Sequence, residues 1–197
     1  DYSVGLAAAF KEEAAKQGLQ VVEEKYTKDD KDFKSILTNI KNQTPDAIFI
    51  PDYYGTVGLI ATQAKELGMT AKYLGGDGWD GVQKDFAAVT EGAVFASQFA
   101  PDDTTPMVQK FIADYKAKTG TDPNVFAALG YDTGNLIEAA LKVAKDTSSE
   151  AVRDALKGLS LELVTGKLVF DADRNPQKAV TFVEVKGGKV VLKEKVQ

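Results

Sequence analysis

Asp77 and Trp79 stand two residues apart in the octet Tyr73-Leu74-Gly75-Gly76-Asp77-Gly78-Trp79-Asp80, directly after a short apolar run and two glycines. One anionic group beside one large aromatic surface suits a small ligand with a cationic end and an apolar body. A carboxylate is costly to bury unless a cation meets it, and a hydrogen bond to a charged group contributes roughly 1.5–3 kcal/mol. Tyr2 and the pair Tyr53-Tyr54 add aromatic faces, possible cation–π contact and one polar handle each. The plainer reading makes Asp77 a helix cap in a connector and the tyrosines ordinary strand-edge aromatics. Which reading holds depends on whether these distant residues meet.

Composition narrows the chemistry. The 197 residues are 44% hydrophobic and 27% charged, an ordinary globular balance with a formal net charge of -5. There is no cysteine and no histidine. Thiol nucleophiles, disulfides, the usual transition-metal ligands and the common general base near neutral pH are therefore absent. No Lys/Arg cluster forms a phosphate-binding stripe, which argues against nucleic acid as a partner. Asp77 with Tyr53 or Tyr54 is the one acid–base pair on offer, without a Gly-rich phosphate loop or a nucleophile elbow beside it. The expectation is a non-enzyme with no cofactor and no metal. No apolar run approaches the length of a membrane span and no signal peptide is visible. The abrupt start at Asp1-Tyr2-Ser3 reads as a mature or truncated segment.

The elements that must position these residues alternate. A helix capped by Asp1 or Ser3 ends at Gly18, and Leu19–Tyr26 reads as a strand around Val21 and Val22. A second amphipathic helix begins at Asp32 and carries Phe33, Ile36, Leu37 and Ile40. Ala47-Ile48-Phe49-Ile50 has the continuous apolar character of a buried parallel strand. A third helix runs from Gly55 to Gly68, followed by the strand Lys72–Leu74, a helix near Val82–Ala88 and the strand Ala93–Phe99. This is the pattern of an α/β, doubly wound parallel sheet. From Ala100 the character changes to three helices, Pro106–Lys118, Asn124–Lys145 and Ser149–Gly158. A strand-like stretch Glu162–Phe170 interrupted by Gly166 follows, then a hairpin over Ala179–Lys195 about Gly187-Gly188.

In a parallel sheet the carboxyl ends of the strands share one edge, the edge at which open α/β sheets bind ligands. Tyr53 and Tyr54 follow one strand, and Asp77 and Trp79 follow the next. Tyr2 opens the helix that would follow a strand upstream. The topology therefore predicts that Tyr2, Tyr53, Tyr54, Asp77 and Trp79 converge.

The residues carry a family resemblance. Asp1-Tyr2-Ser3-Val4-Gly5-Leu6-Ala7, Ile50-Pro51-Asp52-Tyr53-Tyr54, Leu74-Gly75-Gly76-Asp77-Gly78-Trp79, Gly130-Tyr131-Asp132 and Gly166-Lys167-Leu168-Val169-Phe170-Asp171 resemble the branched-chain amino acid (Leu/Ile/Val) periplasmic binding proteins. These are substrate-binding components of ABC importers with the type I two-lobed fold. The resemblance implies a small amino acid ligand, a membrane permease as partner, and an extracytoplasmic location, periplasmic or lipid-anchored at the cell surface. It implies that Tyr2 and the Tyr53-Tyr54 pair line the amino acid site and that Asp77 holds the ligand's α-ammonium, where the best-known members carry glutamate. It also places Phe126 as an aromatic from the first lobe covering the ligand, with Tyr131 and Asp132 as a structural pair.

Under the same resemblance, residues 1–99 are most of the second lobe, 100–179 a returning part of the first lobe and 180–197 a tail crossing back. The fold is expected to be incomplete at its N-terminus. The missing N-terminal segment, supplied by another chain, by a swapped copy or not at all, would carry the groups that grip the ligand's α-carboxylate. Hinge closure would bring both lobes onto the ligand. The rival reading with the same fold is a ligand-sensing domain of a receptor or regulator.

Overall fold

Pro45 and the unbroken apolar run behind it set the first strand of the sheet. In the computed structural model, which describes residues 1–196, the chain begins with α1 (Tyr2–Lys16), α2 (Lys34–Asn42), β1 (Ala47–Ile50), α3 (Tyr54–Glu66) and β2 (Lys72–Gly75). A single 3-10 turn (Asp77–Trp79), α4 (Val82–Asp85), α5 (Ala87–Thr90) and β3 (Val94–Ser97) follow. Three longer helices come next: α6 (Pro106–Thr119), α7 (Val125–Val143) and α8 (Ser149–Lys157). The rest is strand: β4 (Ser160–Leu163), β5 (Gly166–Phe170), β6 (Pro176–Gln177), β7 (Val180–Lys186) and β8 (Lys189–Val196). Residue 197, the last of the expected tail, lies outside the described residues.

The chain forms two compact units. One comprises Asp1–Ala96 and Val183–Val191, the other Ser97–Phe182 and the residues from Leu192 onward. In the first, β1 and β2 pair in parallel from Ala47↔Lys72 to Ile50↔Gly75, and β2 pairs in parallel with β3. The strand order is β1-β2-β3-β7-β8. Ile48 and Ile50 are buried on one face of β1, while Phe49 on the other face stacks on Phe10 of α1 at 4.4 Å. α3 buries Val57, Ile60, Ala61 and Ala64, a helical period that leaves its polar side to solvent. Both faces of the sheet are thus covered, as its apolar strands require.

Three features differ from the sequence reading. Leu19–Tyr26 is not a strand: it has no ladder partner, and Leu19, Val21 and Val22 are exposed. A strand exists only where a neighbour takes up its backbone groups, and β-branched residues do not supply one. Side chains tie this stretch down instead, through Lys11–Glu23 at 2.8 Å, Asn39–Glu24 at 3.2 Å and Tyr26–Asp52 at 2.7 Å. Secondly, the helix expected near Val82–Ala88 is two single turns broken at Phe86. There the backbone leaves helical geometry (φ -126°, ψ 15°), and the ring lies against Gly58, where a Cβ would come within 2.2 Å of it. Thirdly, the sheet is mixed, because the β7–β8 hairpin joins three parallel strands.

In the second unit Glu162–Phe170 proves to belong to two antiparallel strands, β4 and β5, with β6 added at the edge of β5. Gly166 opens β5 at φ 110°, a left-handed region open to glycine. Phe99, Val108, Phe111, Val125, Ala128 and Val164 form the unit's core. Asn124 caps α7, accepting from the Ala127 N–H at 2.9 Å. Asp132 of α7 accepts the N–H groups of Val164 at 2.9 Å and Thr165 at 2.8 Å, which fixes the β4–β5 turn on the helix.

A second buried carboxylate in this unit makes stability depend on pH. Asp103 accepts from the N–H and hydroxyl of Thr105 and is ion-paired with Lys195. Burial works to raise its carboxyl, but Lys195 and Thr105 prevail and hold it below the usual carboxylate range. A depressed folded value means stabilisation that is complete above the unfolded value, about 3.9, and is lost as pH falls through the folded one. Asp103→Asn is expected to cost about 1–2 kcal/mol at pH 7. Urea unfolding of variant and parent should converge only below the ordinary carboxylate range.

Candidate functional site

The register Ile50↔Gly75 sets the carboxyl ends of β1 and β2 side by side, so the segments that leave them emerge together. From β1 the chain passes through Pro51 and Asp52 to Tyr53, which precedes α3 with extended backbone angles (φ -82°, ψ 151°). From β2 it passes through Gly75 and Gly76 into the turn that carries Asp77. Tyr2, the first residue of α1, comes to the same place from 75 residues away.

There the side chains lock together. The Tyr2 hydroxyl donates to Asp77 Oδ1 at 2.7 Å and accepts from the Gly78 N–H at 2.8 Å. The Tyr2 ring stacks on Tyr53 at 5.1 Å with 26° between the planes. Burial first, and then the bond to Asp77, push the Tyr2 phenol up to about 12. It therefore stays protonated and remains a donor through the neutral range. Gly78 is needed for this approach, since a Cβ there would lie 2.8 Å from the Asp52 carbonyl oxygen and 3.0 Å from the Tyr2 hydroxyl. Asp77 itself is exposed and caps neither the 3-10 turn nor α4. Among the described residues no lysine or arginine pairs with it, and its second oxygen accepts no hydrogen bond. The helix-cap reading of Asp77 is thereby removed.

The other expected site residues fall differently. Tyr54 is half exposed at the first turn of α3 and its ring lies 3.9 Å from the position a Cβ would take on Gly81, outside the Tyr2–Tyr53 stack. Trp79 does not line an open surface. Its side chain is fully buried, its indole N–H donates to the Ile50 carbonyl at 2.8 Å, and its ring lies 5.9 Å from Phe95. Gly76 is extended (φ -102°, ψ -172°), and the 3-10 turn Asp77–Trp79 after it lays the indole back over Gly75, where a Cβ would stand 2.3 Å from the ring. Trp79 is thus a core peg that closes the ends of β1 and β2. Phe126, 67% exposed at the start of α7, belongs to the other unit. Tyr131 packs on Phe111 at 5.1 Å beside a depression of about 300 Å³ that includes Met107 and Leu163. Asp132 is structural. Among the described residues no group of acidic side chains could hold a metal ion.

The sequence reading missed Asp52 and Tyr26. Asp52 Oδ1 accepts the Tyr53 N–H at 2.7 Å and Oδ2 accepts the Tyr26 hydroxyl at 2.7 Å. The only local signal was an aspartate directly after a strand-ending proline.

The arrangement sets a fixed aromatic stack beside a carboxylate that has no lysine or arginine partner among the described residues, a combination chemically suited to a small cation with an apolar body. Comparison with known proteins identifies the family. The periplasmic binding protein family model matches residues 1–189. The chain belongs to that family. The Leu/Ile/Val-binding protein BraC3 of Rhizobium johnstonii is 29% identical over 98% of this chain and 54% of its own length. Among solved structures, a leucine-binding protein LivK from Thermotoga maritima superimposes with a TM-score of 0.90 at 30% identity, over 100% of this chain and 57% of that one. The branched-chain amino acid transporter substrate-binding protein LivJ of Streptococcus pneumoniae, solved with isoleucine, gives 0.86 at 36% identity over the same shares. The chain spans about half the length of the curated relatives it matches. The relatives are solute-binding proteins rather than enzymes. No helix among the described residues is long and apolar enough to cross a membrane.

Proposed function

We propose that this periplasmic binding protein chain carries the ammonium-holding half of a small amino acid site, in the extracytoplasmic substrate-binding component of an ABC importer. Asp77 takes the ligand's α-ammonium, and Tyr2 and Tyr53 form the aromatic wall beside it. The observation that supports this most is the Tyr2–Asp77–Tyr53 group, in which an exposed carboxylate is fixed by a phenol and has no lysine or arginine partner among the described residues. Tyr54 is proposed at the rim of the site, while Phe126 belongs to the other unit. The burial of Trp79 takes it out of the set of contacts.

The ligand's α-carboxylate is proposed to be held by residues outside Asp1–Gln197, with residues 1–99 and the middle of the hairpin, Val183–Val191, belonging to one lobe of the protein and 100–179 to the other. Closure of the lobes would favour the bound form because the ligand binds it better than the open one. A permease that reads the closed form is the partner implied.

Thermal unfolding of the full-length protein against a panel of amino acids tests this reading. A true ligand present at 100 times its Kd stabilises by about 2.7 kcal/mol. L-leucine, L-isoleucine or L-valine is expected to raise Tm. A panel in which no amino acid does so would refute the proposal.

A further inference from the structure

The group that would meet the ammonium is built on a loop whose own support lies one layer deeper. Asp52 sits between β1 and α3, and both of its carboxylate oxygens are used inside the first unit. Oδ1 takes the Tyr53 N–H and Oδ2 takes the Tyr26 hydroxyl, each at 2.7 Å. Tyr26 is held in turn. Its ring packs edge-on against Phe33 at 5.2 Å, and Phe33 is buried with its N–H donating to Gln63 Oε1 at 2.7 Å. Gln63 also donates to the Lys31 carbonyl at 2.8 Å, so α3 holds the segment beneath Tyr26 from both sides.

A continuous path of contacts therefore runs from α3 to the site: Gln63, Phe33, Tyr26, Asp52, Tyr53, Tyr2, Asp77. The Asp52 carbonyl oxygen also abuts Gly78, next to Asp77. We propose that Tyr26 and Asp52 are positioning residues for the ammonium-binding group: their hydrogen bond holds the turn that presents Tyr53 to Tyr2, and Tyr2 sets the carboxylate of Asp77. This rests on the reading of Asp77 as the ammonium ligand. It adds that Asp52, the other carboxylate at this strand end, acts through Tyr53 and Tyr26, to which its two oxygens are bonded, and not on the ligand. Burial, then the bond to Asp52, push the Tyr26 phenol up, so it remains a donor at any physiological pH. Preorganised binding groups owe their precision to such supports.

The test is isothermal titration of the full-length protein with L-leucine, L-isoleucine and L-valine, using Tyr26→Phe, Asp52→Ala, Asp52→Asn and the double variant Tyr26→Phe/Asp52→Ala. Loss of one charge-assisted hydrogen bond, transmitted in part, is expected to weaken binding about five-fold for Tyr26→Phe and about ten-fold for Asp52→Ala. The double variant should be no weaker than Asp52→Ala, because both residues act through the same carboxylate. Asp52→Asn keeps an acceptor for the Tyr53 N–H and a donor for the Tyr26 oxygen, so it should stay within about two-fold of the parent.

An Asp52→Asn loss as large as that of Asp52→Ala would make Asp52 a direct charge contact and overturn the proposal. Parental affinity in both Tyr26→Phe and Asp52→Ala would do the same. If the parent binds none of the three amino acids, the functional reading fails, and amide exchange at Tyr53 in the unliganded protein decides the positioning claim. Tyr26→Phe should then lower Tyr53 protection about five-fold. Unchanged protection would leave no role for the pair.

Discussion

Asp77→Ala is expected to weaken amino acid binding roughly 30- to 1,000-fold while the fold survives. The expected loss of about 2–4 kcal/mol is that of truncating one partner of a desolvated charge pair, and each 1.4 kcal/mol is tenfold in Kd. The cost to stability should be small, because Asp77 is exposed and among the described residues its side chain is bonded to the Tyr2 hydroxyl alone. That hydroxyl can turn to water, so the folding penalty should stay near 1 kcal/mol. Asp77→Asn separates the two contributions of the side chain. It can still accept from Tyr2, but it offers the ammonium a dipole in place of a charge, and it should fall between parent and alanine. Calorimetry on the full-length protein, with thermal unfolding in parallel, checks both quantities. A large loss of stability with unchanged affinity would make Asp77 a structural residue.

Asp132→Ala should have the opposite signature, a large loss of stability with no local effect at the strand-end site of the other unit. Asp132 is 4% exposed, and the N–H groups it accepts belong to Val164 and Thr165, each 5% exposed. Alanine leaves two buried donors without partners at about 1–3 kcal/mol each, so roughly 2–6 kcal/mol in total is expected. Folded domains have only about 5–15 kcal/mol in reserve. Thr165 is tied further into this arrangement, since Lys178 donates to its hydroxyl at 2.6 Å, and burial lowers the Lys178 ammonium despite the nearby Asp132 charge. Asp132→Asn retains one acceptor and should lose about half as much. Urea unfolding followed at the amides of Val164 and Thr165 gives the answer. A loss below about 1 kcal/mol for Asp132→Ala would contradict the account.

Much of this architecture could be read from residue pattern. The apolar run of β1, the helical period of α3 and the alternation in β7, where Thr181, Val183 and Val185 are buried, each report an environment that their own residues demand. The meeting of Tyr53 and Asp77 was also legible, because parallel pairing of β1 with β2 sets their strand ends side by side, and Tyr2 was expected there as the start of a helix following a strand of the same sheet. Leu19–Tyr26 was not legible, because a strand-like pattern states what a segment could bury and not whether a neighbour is there. The break at Phe86 depends on its ring finding Gly58, 28 residues earlier, a contact that no local period encodes. Trp79 was misplaced for a related reason. Its position beside Asp77 in the chain suggested a shared surface, yet the 3-10 turn Asp77–Trp79 sends the two side chains to different destinations. Tyr26 and Asp52 escaped notice because hydrogen bonds between polar side chains 26 residues apart leave no periodic trace.

The claim at the centre is that the ligand's ammonium group meets Asp77, and one calorimetric comparison addresses it directly. The full-length protein and its Asp77→Ala variant are titrated with L-leucine and with 4-methylpentanoate, which has the same carbon skeleton and carboxylate without the ammonium. The account predicts that the parent binds leucine at least about 100-fold more tightly than 4-methylpentanoate, and that most of this gap closes in Asp77→Ala. Equal affinity of the parent for the two compounds, or a gap that persists undiminished in the variant, would contradict it.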